Sequence, residues 1–149
     1  MDEEIKGVDS LSDIRATVLL ADYATVANGK LTAIGCGWNI MSGPSPFALA
    51  AIFEIPWQMT NTKHSFVFDL VDFDERPVLN EAGEPLEIRG DFEVGRPPGL
   101  RPGSPLLMPV AFNNAPLSLP AGSRFSWRLH INGKTDSAWR QVFSTVSAS

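Results

Sequence analysis

The sequence contains two histidines, His64 and His130, and histidine is the side chain best suited to act as a general base near neutral pH. Neither has a cysteine or glutamate beside it at the spacing of a zinc site. A Ser-His-Asp triad would also need an activated serine, and the sequence has no Gly-x-Ser-x-Gly elbow. Strand alternation places both histidines on outer faces. We therefore predict that the chain is not an enzyme and has no catalytic residues.

Four carboxylates, Asp69, Asp72, Asp74 and Glu75, are crowded at the end of one predicted strand. Calcium takes about six to eight oxygen ligands, and a single loop of this kind supplies too few. The spacing also does not match an EF-hand. We interpret the cluster as a solvated turn and expect neither a metal nor a cofactor.

Cys36 is the only cysteine, so an intramolecular disulfide is excluded. Its neighbours are apolar or glycine, which predicts a buried structural thiol. Gly35 and Gly37 lie in a predicted strand and precede no helix, so they indicate a bulge or close backbone approach rather than a phosphate-binding loop. The four tryptophans could form a carbohydrate platform, but packing in the core is favoured. We expect Trp57 to be the exposed one.

The rest of the chain is a series of short apolar runs separated by turn signals, which is typical of an all-β domain. The predicted strands are 14–21, 31–41, 47–57, 63–72, 86–94, 106–113, 125–131 and 139–146. Asn28-Gly29 and Asn132-Gly133 predict tight hairpin turns. The continuous apolar run at 47–57 indicates a strand covered on both faces or lying at an interface. The best helical candidates, 11–14 and 22–27, are short.

These elements predict an antiparallel β-sandwich of about eight strands, immunoglobulin-like or jelly-roll-like, over residues 14–149. Residues 1–13 would form a separate acidic arm. They hold five acidic residues and one lysine, so most of the net charge of −5 lies there and the remaining domain is nearly neutral. Nucleic-acid binding needs a basic surface and is not expected.

The acidic opening does not resemble a secretory signal, and no apolar run is long enough to cross a membrane. We therefore expect synthesis in a cytoplasm and no membrane partner. Ile5, Val8 and Leu11 are the candidate partner-binding residues of the arm, since an acidic segment needs apolar anchors to dock. The arm could dock on its own domain, on another copy or on a different protein.

Several stretches of the sequence resemble an uncharacterised family of small proteins from actinobacteria and their phages, over about residues 14–145. The stretches are 15–22, 29–31, 37–38, 54–57 with Asn61 and His64, 92–99, and 127–129. The acidic arm lies outside the resemblance. The resemblance implies no activity and no site residues; it adds only the association with phages.

Our leading hypothesis is a non-enzymatic structural or interaction protein that attaches to a larger assembly through its arm and one sheet face. In its most specific form it is an accessory virion protein, such as a phage capsid decoration protein, which would place it in the virion. The alternative is a cytoplasmic bacterial binding module for a protein or small ligand, with homodimerisation as one form. A third class, a hydrolase or sugar-active enzyme, would require a polar cleft where a histidine meets an acid.

Overall fold

The computed structural model describes residues 13–148, which form ten β-strands and one short 3₁₀ helix. The strands are β1 (Arg15–Ala21), β2 (Tyr23–Ala27), β3 (Lys30–Ile34), β4 (Ile40–Ser42), β5 (Phe47–Ile55), β6 (His64–Val71), β7 (Glu87–Phe92), β8 (Leu106–Asn114), β9 (Arg124–Ile131) and β10 (Lys134–Val146), and the 3₁₀ helix covers Trp57–Met59. The all-β prediction is confirmed, but about eight strands is too low a number. Within this range no helix has the length and apolar character needed to cross a membrane.

Two sheets pack face to face, with strand orders β1-β5-β8 and β4-β10-β9-β6-β7. Neighbouring strands in both are antiparallel except β4 and β10, which run parallel. Aromatic rings from the two sheets meet between them: the ring centroid of Phe53 lies 5.3 Å from that of Phe92 and 5.9 Å from that of Phe66. The predicted β-sandwich is confirmed, with one parallel pair added.

Strands β2 and β3 form a hairpin that lies across the outer side of the three-stranded sheet. Its turn is Asn28-Gly29, with φ of 54° and 70°, as the dipeptide predicted. Ala48 and Ala50 of β5 are fully buried beneath it, together with Ala24 of β2. Side chains this small let the hairpin backbone approach the sheet closely. The hairpin therefore adds a third layer to the sandwich.

The same hairpin explains the continuous apolar run of β5. Leu49 and Phe53 point into the sandwich, whereas Ala48 and Ala50 point toward the hairpin. Coverage on both faces, one of the two predicted alternatives, is confirmed.

The short helix considered at 22–27 is wrong, because residues 23–27 pair along their whole length with β3. The predicted strand at 31–41 is also broken, since the chain turns sharply at Gly35, which has φ of 63°. A Cβ at Gly35 would lie 2.2 Å from Oδ2 of Asp22. The close approach predicted from the glycines is confirmed there.

Arg96 fastens the proline-rich loop of residues 95–103 to the 3₁₀ helix. Its guanidinium lies 3.9 Å from the centroid of the Trp57 ring and donates to the Trp57 carbonyl at 2.8 Å. It also donates to the hydroxyl of Thr60 at 2.6 Å. Trp57 is consequently half-buried rather than exposed as expected.

Candidate functional site

The outer side of the five-stranded sheet, which we call the open face, carries charged and apolar side chains from four strands. Strand register brings them together: Arg140 lies opposite Arg128, and Arg128 lies opposite Asp69. Directly opposed residues of an antiparallel pair project to the same side of a sheet. On β4, β6, β9 and β10, the open face includes Ile40, Asp69, Arg124, Ser126, Arg128, His130, Arg140, Val142, Ser144 and Val146.

Arg128 and Asp69 form a two-pronged ion pair at the centre of the open face. Arg128 Nε donates to Oδ1 of Asp69 at 2.9 Å, and Nη2 donates to Oδ2 at 2.8 Å. Burial alone would raise the pKa of Asp69, but the hydrogen bonds and charge of Arg128, aided by His130, hold that pKa below its usual value. The hydrogen bonds that Arg128 donates to Asp69 raise the pKa of Arg128 in turn. Both groups are therefore fixed in their charged forms.

Glu75 extends this ion pair to a second arginine. Arg140 Nη2 donates to Oε1 of Glu75, and Nη1 of Arg128 lies 3.9 Å from the same oxygen. The turn after β6 positions Glu75: Oδ1 of Asp72 accepts from the N–H groups of Asp74 and Arg76 at 2.9 and 3.0 Å. Glu75 itself has φ of 64°, a strained value for a side chain with a Cβ. One acidic turn thus completes a network of two arginines and two carboxylates.

His130 borders the network without joining it by a hydrogen bond. Its Nε2 lies 3.4 Å from Oδ2 of Asp69, and that nitrogen is buried without a hydrogen-bond partner among the described residues. The residue is on the outer face, as predicted. An imidazole therefore does meet a carboxylate in this protein, but on a sheet surface where Arg128 already holds the carboxylate.

The other end of the open face is apolar. Ile40, Val142 and Val146 are exposed, Ile40 to 61% of its maximum. Phe73, from the turn after β6, is equally exposed, and the guanidinium of Arg124 lies 5.0 Å from its ring centroid. The face therefore joins a rigid charged network to exposed apolar side chains, a combination found in protein interfaces.

Among the hollows of the described surface are two that lie along β10. A groove of about 660 Å³ is bordered by Phe73, Asp74, Ser123, Arg124 and Ser144, next to the apolar end of the open face. A cavity of about 460 Å³ lies at the opposite end of β10, where β1 begins. Neither hollow is lined by His64, Asp69 or His130.

The sequence profile of a family of unknown function, DUF6941, matches residues 16–140. The chain belongs to this family. The prediction that it resembles an uncharacterised family is therefore confirmed, while the association with actinobacteria and phages stays a prediction. No curated protein matches the chain. Residues 16–140 of this DUF6941 protein include every open-face residue of β6 and β9, and they also include Arg140.

His64 does not lie on an outer face as predicted. It is 5% exposed and its ring centroid lies 5.3 Å from that of Phe92. Its Nε2 is 2.8 Å from the Met59 carbonyl, and its Nδ1 is 3.0 Å from the Asn132 side-chain amide nitrogen. These two contacts hold the ring in place between Met59 and Asn132. The alternation that places Phe66 inside the sandwich also places His64 there, so the predicted outer position was wrong.

Cys36 is exposed, not buried as predicted. The glycines on either side have φ of 63° and 91°, so they turn the chain outward in place of continuing a strand. The apolar neighbours of Cys36 gave no sign of this turn. Cys36 therefore lies in an exposed loop.

The crowded carboxylates have separate roles: Asp69 binds Arg128, Asp72 stabilises the turn, and Glu75 binds Arg140. Within residues 13–148, no three histidine, cysteine, aspartate or glutamate side chains are placed to hold a metal ion. The carboxylates thus belong to the open face and its flanking turn.

The predicted anchors Ile5, Val8 and Leu11 lie outside the described residues. The side chains that sequence reasoning missed are Arg128, Arg140 and Phe73. Arg128 could have been found, because it alternates with Trp127 and Leu129 on a strand whose inner positions are apolar. Its pairing with Asp69 depends on the register between β6 and β9, which no local signal specifies.

Proposed function

We propose that this DUF6941 protein is a non-enzymatic interaction protein that attaches to a larger protein assembly through its open face. The observation that carries the proposal is the Arg128–Asp69–Glu75–Arg140 network next to exposed Ile40 and Val142. Strands hold these groups, so a partner would meet a surface that needs little ordering on binding.

The charge arrangement supports recognition in preference to proton transfer. Both arginines are held by carboxylates, which fixes their orientation while Glu75 and Arg140 remain partly accessible to solvent. Fixed charges of both signs favour one register of a partner and disfavour others. Nearby apolar side chains would supply the burial that gives affinity.

In its most specific form, this is an accessory virion protein, such as one that decorates a phage capsid. The support for this form is the resemblance of the sequence to proteins of actinobacteria and their phages. A rigid sandwich that binds through one face also suits a subunit that is added to an assembled capsid.

The decisive experiment measures how much of the protein remains on purified particles from its source, by quantitative mass spectrometry. Val142→Lys should reduce occupancy at least tenfold, because it buries an unpaired charge in the interface. Ile34→Lys is the matched control, since Ile34 is also exposed but lies on the β2–β3 hairpin. Full occupancy of Val142→Lys, or absence of the wild-type protein from particles, contradicts the proposal.

The groove beside Phe73 favours the second candidate, a cytoplasmic binding module for a small ligand. Its volume of about 660 Å³ lies within the usual range for ligand sites, and it joins an aromatic ring to Arg124 and Asp74. Calorimetric titration with a panel of metabolites would detect such a ligand, and Arg124→Ala should weaken its binding. Sedimentation of the free protein would separately reveal a homodimer.

A further inference from the structure

The same tripeptide, Asn-Gly-Lys, forms the turn of two hairpins in this chain. Asn28-Gly29 joins β2 to β3, Asn132-Gly133 joins β9 to β10, and a lysine follows each pair. The φ angles are 54° and 70° in the first turn and 52° and 78° in the second, so the two backbones are alike. A Cβ built on either glycine would meet nothing within 4 Å. The two turns are therefore closely matched, and they differ chiefly in the contacts of the asparagine side chains.

The Asn132 side chain is held at both ends of its amide group. Its Oδ1 accepts from the Ser65 N–H at 3.0 Å, and its Nδ2 lies 3.0 Å from Nδ1 of the buried His64. The Asn132 N–H also donates to the Ser65 carbonyl at 2.9 Å. These contacts join the second turn to the start of β6, so rotation of the Asn132 amide would break two hydrogen bonds.

The Asn28 side chain, in contrast, is exposed and makes no hydrogen bond to any group of residues 13–148. Its amide is therefore free to rotate toward the Gly29 nitrogen, and glycine has no side chain to hinder the approach. When the two meet, the deprotonated Gly29 nitrogen attacks Cγ of Asn28, the Cγ–Nδ2 bond breaks, and Nδ2 leaves as ammonia. Water then opens the resulting succinimide at either carbonyl, which yields aspartate or isoaspartate.

We propose that Asn28 deamidates spontaneously in the folded protein while Asn132 is protected, and that the isoaspartyl product loosens the β2–β3 hairpin. Isoaspartate carries the backbone through its Cβ and Cγ, so it adds one backbone atom to a turn of only two residues. Turn length sets the register of a hairpin, so the longer turn disturbs the pairing of β2 with β3. The Asn113 side chain binds Ala24 at the far end of β2, and we therefore expect the tip of the hairpin to open first. This inference stands independently of the open face.

Peptide mapping by mass spectrometry measures both sites in one sample of the full chain. The folded protein is kept in mildly alkaline buffer made with heavy-oxygen water, which labels each residue whose succinimide opens during the incubation. We expect Asn28 to react about tenfold faster than Asn132 or more, because tenfold corresponds to about 1.4 kcal/mol and two hydrogen bonds contribute about that much. In guanidinium chloride neither side chain is held, so the two sites should react at similar rates, since Gly-Lys follows each.

Three results of this experiment would overturn the proposal. The first is an equal rate at Asn28 and Asn132 in the folded protein, and the second is an Asn28 that reacts only in guanidinium chloride. The third is a difference that persists in guanidinium chloride, because the preceding residues, Ala27 and Ile131, would then explain it.

Hydrogen exchange tests the consequence for the hairpin. The isoaspartyl form, separated by chromatography, should exchange faster than fresh protein at Val26 and Leu31, which pair next to the turn, and at the same rate in β9. Asn28→Asp is the matched control, because it adds the same charge without lengthening the backbone, and its exchange should stay close to that of the wild type. An isoaspartyl form that exchanges like Asn28→Asp would show that the turn accommodates the extra atom and would overturn the proposed loosening.

Discussion

The two sheets of the sandwich differ in the side chains that their outer sides present. The outer side of the three-stranded sheet presents small side chains, among them Ala48 and Ala50, and the β2–β3 hairpin covers it. The outer side of the five-stranded sheet presents Arg128 and Arg140, and their carboxylate partners hold them along the surface. Side chains as short as alanine let the backbone of a hairpin approach a sheet more closely than arginine side chains would. The choice between alanine and arginine at these positions therefore separates a face that the hairpin covers from a face that stays open.

The largest effect should come from enlarging a side chain on the covered face. Ala50→Leu forces a larger group under the hairpin, where Ala50 is fully buried, and should lower the free energy of unfolding by about 2 to 3 kcal/mol. Val142→Phe also enlarges a side chain, but on the open face where Val142 is exposed, and should change it by less than about 0.5 kcal/mol. Urea unfolding measures both. Equal losses would show that the two faces are packed alike.

Breaking the ion pair of the open face should have the next largest effect. Arg128→Leu leaves a half-buried Asp69 without its two hydrogen bonds, so we expect a loss of about 1 to 3 kcal/mol. Replacing both residues by leucine should recover most of that loss, because no unpaired charge remains. If the double variant is less stable than Arg128→Leu, the network stabilises the fold in its own right.

Breaking the two hydrogen bonds that join the β2–β3 hairpin to β8 should have a smaller effect. The Asn113 side chain donates to the Ala24 carbonyl at 2.7 Å and accepts from the Ala24 N–H at 3.1 Å. Asn113→Ala should cost about 1 kcal/mol and speed hydrogen exchange in β2 and β3 while leaving β9 unchanged. Unchanged exchange in β2 and β3 would mean that the alanine contacts alone secure the layer.

The smallest effect is the pH dependence of the open face. The pKa of Asp69 is lower in the folded protein than its ordinary value of 3.8, so the unfolded chain takes up the proton first as the pH falls. The stability that Asp69 contributes is complete well above pH 3.8 and is lost as the pH drops through that value toward the folded pKa. Asp69→Asn should flatten the acid limb of the unfolding free energy. An unaltered limb would place the acid sensitivity in other carboxylates.

Turn dipeptides and strand alternation predicted the sandwich because both depend only on residues that are close together in the sequence. Both Asn-Gly turns form as expected, with φ of 52° and 78° at Asn132 and Gly133, and the inner positions of β9 follow their alternation. The same rule, applied one step earlier in β6, would have placed His64 inside.

The open face could not be predicted in the same way. Asp69 and Arg128 are 59 residues apart, and their contact depends on register set by the whole core. The hairpin layer was missed because the five residues 23–27 are too short for periodicity to separate helix from strand. The prediction that Cys36 is buried was wrong because the glycines on either side of it, both with positive φ, turn the chain outward despite its apolar neighbours.

The parallel pairing of β4 with β10 affects how the protein reaches its native state. Ser144 lies beside Ile40, so residues about a hundred positions apart must find each other before that edge exists. Strand β10 also lies between β4 and β9. During synthesis the five-stranded sheet therefore cannot be completed until residue 146 has been made, and such long-range closure is slow. Until then, the strands that have already been made keep unpaired edges. A chaperone that covers those edges should raise the folding yield.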